Sequence, residues 1–121
     1  MSESEWNFPR VKHFTELLDT PVADAIWDAL PIEVAYSTWG DEIYFDTGVK
    51  VSPGPSKPIV NLGDIGYWPP GQAMCLFYGA TPMSSLGEIR PASPVAVFGR
   101  LEGDPKALKR VRAATVRVER T

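Results

Sequence analysis

Twelve prolines and ten glycines punctuate the 121 residues, and they fall between apolar stretches rather than in one tail. Proline cannot donate to a ladder or continue a helix, and glycine supplies turn geometry, so such a chain is cut into short segments. The pairs Gly40-Asp41 and Gly63-Asp64 and the proline-dense SPGPSKP at 52–58 each end one extended segment before another begins. Many short strands with turns between them bury their apolar faces by closing into a barrel or stacking as a sandwich, not by forming a parallel sheet.

The strand segments can be read in order. VKHFTELL at 11–18 alternates weakly, EVAYSTW and EIYF flank Gly40-Asp41 as a hairpin with a two-residue loop, and IVNL and IGYW flank Gly63-Asp64 as a second pair. AMCLFY is continuously apolar, as a strand covered on both faces would be, and VAVFGRLEG and ATVRVE follow. The tally is seven or eight strands. Two helices interrupt them. TPVADAIWDALP has Thr20 as N-cap, Pro21 at the first helical position, Pro31 as a stop, and one apolar stripe from Val22, Ile26 and Leu30. DPKALKRV is a short C-terminal helix capped by Asp104.

Length and composition fit one domain over residues 1–121, with 44% hydrophobic and 22% charged residues excluding a disordered chain. The acidic SESEW makes residues 1–10 a frayed segment or an atypical first strand. A net charge of −3 and the alternation of Arg117 with Val116 and Val118 argue for a solvated strand face, so no nucleic-acid partner is expected. No apolar run approaches a membrane span and SESEWNFP lacks the features of a signal peptide, so no membrane partner and a cytoplasmic location are expected. A single cysteine, Cys75, precludes an intrachain disulfide and a cysteine zinc site. Asp41, Glu42, Asp46 and Asp64 sit near turns without a binding-loop spacing, so neither a metal nor a cofactor is expected.

Three stretches, LPIEVAYSTWGDEIYF, GDIGYWPPGQAMCLFYGATPM and PASPVAVFGRLEGD, resemble the small prokaryotic cyclophilin-like proteins of unknown function over roughly residues 20–119. The resemblance implies a mainly β fold, a closed antiparallel eight-stranded barrel capped by helices, in agreement with the strand tally. That family begins with a well-formed strand, whereas only SESEWNFPRVK precedes HFTELLDT here. The first strand is therefore expected to be short, displaced or supplied by a neighbouring chain, and an edge left unpaired favours a homodimer by strand addition. True cyclophilins are peptidyl-prolyl isomerases that use an arginine, an FMxQGG segment and a nearby histidine. No arginine occurs here between Arg10 and Arg90, FMxQGG is missing, and His13 is the only histidine. Isomerase activity is thus the alternative, resting on fold analogy, and no catalytic residue is assigned.

The candidate ligand-binding residues are Trp39, Glu42, Tyr44, Trp68, Pro70, Phe77, Thr81 and Met83, which would rim a cleft for a peptide or small molecule. Taken singly, Trp39 reads as core and Glu42 as a solvated hairpin carboxylate. Trp39 beside a tight turn is also placed to offer a flat face at a barrel mouth, and Glu42 becomes a candidate acid or base if a pocket desolvates it. Alternation separates Met74, Leu76 and Tyr78 from Ala73, Cys75 and Phe77, and Tyr67 from Trp68, so at most one face of this region is a site wall. Thr81 and Met83 enter as members of a loop on a rigid scaffold.

Overall fold

The computed structural model describes residues 2–8, 11–111 and 115–121. Among these described residues, nine strands form one antiparallel sheet: β1 Ser2–Phe8, β2 Val11–Leu17, β3 Ile32–Ala35, β4 Ser37–Thr38, β5 Glu42–Asp46, β6 Asp64–Trp68, β7 Ala73–Phe77, β8 Ala96–Leu101 and β9 Thr115–Arg120. Their spatial order is β3-β9-β1-β2-β8-β6-β7-β5-β4. The two ends of that order, β3 and β4, are separated in the chain by Tyr36 alone. One extended segment bends at Tyr36, pairs with β9 through its first half and with β5 through its second, and so nearly closes the sheet into a barrel. The expected eight-stranded barrel is borne out in class. The ninth strand arises where that single segment breaks.

Helix α1, Pro21–Ala29, has the anticipated ends: the Thr20 hydroxyl accepts from Ala23 N at 3.1 Å, and the Leu30 N–H donates to Trp27 O before Pro31. Its buried face, Val22, Ala23 and Ile26, joins the barrel interior with Trp6, Leu17, Ile43, Phe45, Ile65, Tyr67, Met74, Leu76, Phe98, Val116 and Val118. The short C-terminal helix is a 3-10 turn, Pro105–Arg110, and a second such turn spans Pro69–Gly71.

Two expectations are corrected. Residues 2–8 do not form a short or displaced strand: β1 pairs along its length with β2 and also with β9, and Trp6 is fully buried against Phe45 at a ring separation of 5.4 Å. The unpaired N-terminal edge that favoured a homodimer is therefore filled by the chain itself; Met1, Pro9 and Arg10 lie outside the described residues. IVNL is not a strand of a hairpin with IGYW, because Asn61 and Asp64 fold into a turn in which Asn61 N donates to Asp64 Oδ2 at 2.8 Å. Val60 instead bridges Ile89, and Lys57 bridges Val95. Thus the proline-rich segment and residues 89–95 pair with each other as a strap.

Lysines and arginines recur in KALKRVRAATVRVER at 106–120: Arg112 lies outside the described residues, Arg117 is paired with Glu33 at 2.9 Å, and Arg120 covers the Trp27 ring at 5.1 Å. Among the described residues, no helix is long and apolar enough to cross a membrane.

Candidate functional site

The site begins with β7, every residue of which is buried. One face, with Met74 and Leu76, points into the barrel; the other, Ala73, Cys75 and Phe77, forms a second apolar cluster with Val60 and Val95 of the strap and with Tyr44, Trp68, Ile89 and Val97. A strand apolar on both faces therefore reflects two separate coverings. Gly66 on β6 allows the strap to approach this face, since a Cβ there would stand 2.7 Å from Val95 Cγ2.

At the margin of the strap lies a cavity of about 260 Å³ lined by Trp39, Glu42, Tyr44, Trp68, Cys75, Pro91, Ala92 and Val95. The hairpin register explains how the sequence assembles it. Trp39 N donates to Glu42 O at 2.9 Å across the Gly40-Asp41 turn, with Gly40 at φ 60°. Tyr44 stands opposite Cys75, and Glu42 opposite Phe77, in the β5–β7 ladder. Period-two alternation then puts Glu42 and Tyr44 on the outer face, while Ile43 and Phe45 fill the core. Trp68 Nε1 donates to Ser93 Oγ at 2.6 Å, which ties one aromatic wall to the strap.

Glu42 is only 6% exposed, so it is not a solvated hairpin carboxylate. Burial raises its pKa to about 7, and a hydrogen bond from the Cys75 thiol offsets part of that shift. The Cys75 thiol is itself pushed well above its ordinary value, by burial first and then by the charge of Glu42 and the hydrogen bond to it. It remains a protonated donor rather than a nucleophile. Among the described residues, no cation lies within ion-pair distance of Glu42.

Of the eight anticipated residues, Trp39, Glu42, Tyr44 and Trp68 come together on the cavity, and the other four do not line it. Phe77 is sealed beneath the strap, Pro70 is exposed in the 3-10 turn after β6, and Met83 is 51% exposed on its loop. Thr81 is buried, and its role is to hold the wall. Its hydroxyl donates to Arg90 O, its N–H donates to Ser84 Oγ at 3.0 Å, and the same Ser84 oxygen accepts from Arg90 N at 3.0 Å. This knot anchors the residue immediately before Pro91. Cys75, Pro91, Ala92 and Val95 were missed; only Cys75 carried a signal, through its alternation with Phe77.

The acidic residues near turns disperse into separate tasks. Asp41 pairs with Lys109 at 3.4 Å, Asp46 accepts from Gly48 N at 2.8 Å, and Asp64 faces Arg100 at 3.7 Å.

A family model described as Cyclophilin-like matches residues 5–119. The solution structure of the hypothetical protein AF2241 from Archaeoglobus fulgidus is 42% identical, with a TM-score of 0.81, over 99% of this chain and 95% of that one. A comparison with curated proteins finds no match.

Proposed function

The chain belongs to the cyclophilin-like family, and from that premise we propose that it is a binding domain whose outer-face cavity receives a small molecule or a peptide side chain, without peptidyl-prolyl isomerase activity. One observation carries this reading: three aromatic side chains, Trp39, Tyr44 and Trp68, surround a single buried carboxyl in a cavity of about 260 Å³ that is already formed. Apolar walls with one oriented polar group are what a small-ligand site requires, since the walls supply burial and the polar group supplies selectivity. Among the described residues, the ionisable groups lining the cavity are Glu42, Cys75 and Tyr44, all acids, whereas the isomerase chemistry of true cyclophilins calls for a cation beside the prolyl nitrogen.

A thermal-shift screen of small molecules and short peptides tests the reading, with Ala92→Trp as the blocked control because Ala92 is exposed at the cavity wall. Ligands that raise the melting temperature of the wild type and not of Ala92→Trp support it. A screen without any such ligand contradicts it, and so does a protease-coupled assay in which the protein accelerates prolyl isomerisation while Ala92→Trp does not.

A further inference from the structure

Glu42 poses a problem that its surroundings leave unsolved. The residue is more than nine-tenths buried and lines the cavity, and among the described residues the donor to its carboxyl is the weak Cys75 S–H. A buried carboxylate is tolerated when a cation pairs with it, and among the described residues none does so here. Two charged pairs lie on the flanking segments: Asp41 of the adjoining turn with Lys109 at 3.4 Å, and Glu88 with Arg90 at 2.8 Å on the segment leading to Pro91; Lys57 of the strap bridges the cavity residue Val95 through its backbone. Among the described residues, Cys75 and Tyr44 line the cavity beside Glu42 as titratable groups, with Trp39, Trp68, Pro91, Ala92 and Val95 as uncharged ones. Indole and phenol rings present a negative face that attracts cations, most strongly when water is excluded.

Building on the binding reading above, the geometry points to a small organic cation as the ligand, an ammonium group on a compact apolar body seated among Trp39, Tyr44 and Trp68 with its charge on Glu42. Size agrees. A volume of about 260 Å³ holds roughly eight or nine water-sized groups, which matches a trimethylammonium compound such as choline. The cation stabilises the carboxylate form, so below neutral pH its binding expels a proton from Glu42, and affinity follows the ionised fraction of that group. With a pKa of about 7, that fraction rises about tenfold between pH 6 and pH 8.

Titration calorimetry with choline, and with 3,3-dimethylbutan-1-ol as its uncharged isostere, provides the test. The expected result is binding of choline that strengthens about tenfold from pH 6 to pH 8, at least tenfold weaker binding by Glu42→Gln with loss of its pH dependence, and weaker binding of the alcohol. Choline keeps its charge throughout, so the pH dependence reports the protein. Equal binding of both compounds, or tighter binding of the alcohol, overturns the cation assignment while leaving a ligand-binding cavity intact. Failure of both to bind also overturns it, and the thermal-shift screen then decides independently whether the cavity binds anything.

Discussion

At the scale of the residue, Glu42 makes the sharpest claim. Its carboxyl is protonated up to about pH 7 in the folded chain but ionises near 4.5 when exposed on unfolding. The folded state therefore holds the extra proton between those values. The stability this contributes is fully present below pH 4.5 and is lost as pH rises through 7, by on the order of 2 kcal/mol once residual solvent screening is allowed for. Denaturant melts from pH 4.5 to 8 are expected to show this decline in the wild type and to show it flattened in Glu42→Gln; parallel profiles would refute the assignment. Thr81→Val removes a hydroxyl that donates to Arg90 O, leaving that knot incomplete, and is expected to cost about 1–3 kcal/mol and to loosen the Pro91 wall. A chemical-denaturation midpoint unchanged by Thr81→Val would show that the knot is dispensable. Glu42 and Thr81 were both legible as candidates from their places beside a turn and on a loop. Their burial was not, because it depends on a strap assembled from residues far apart in the sequence.

At the scale of the element, alternation carried most of the information. It divided β7 correctly into a core face and a second face, and it separated Tyr67 from Trp68. The strap was illegible because its two halves, around residues 57–60 and 89–95, meet through isolated bridges between Pro-rich and polar segments that have no period of their own. For the same reason IVNL resembled a strand on composition although its only bridge is at Val60. Gly66 is where strap and barrel meet. Gly66→Ala would force its Cβ against Val95, a branched side chain held in the outer cluster, and is expected to cost about 1–3 kcal/mol and to push Val95 toward the cavity. Equilibrium unfolding of that variant checks the energy, and an unchanged midpoint would mean that the strap yields without strain.

At the scale of the whole molecule, closure depends on two joints, the bend at Tyr36 and the insertion of β1 between β2 and β9. The barrel class followed from the turn pattern and from resemblance. The completeness of β1 did not, since an acidic start suggested fraying, whereas its inward Trp6 is what fixes it. Trp6→Ala is expected to cost about 3–5 kcal/mol, enough to abolish a sharp thermal transition in a domain of marginal stability. A cooperative melt at the wild-type temperature would show that β1 is not part of the folding unit.

A ligand in this cavity meets the outer face of the barrel, and the four tryptophans are placed to report on it. Trp39 and Trp68 line the cavity, Trp6 lies in the interior, and Trp27 sits beneath Arg120. In proton-nitrogen correlation spectra of the labelled protein titrated with choline, the indole signals of Trp39 and Trp68 are predicted to move together and saturably while those of Trp6 and Trp27 stay fixed. Shifts confined to Trp6 or Trp27, or no shift at any of the four, would contradict it.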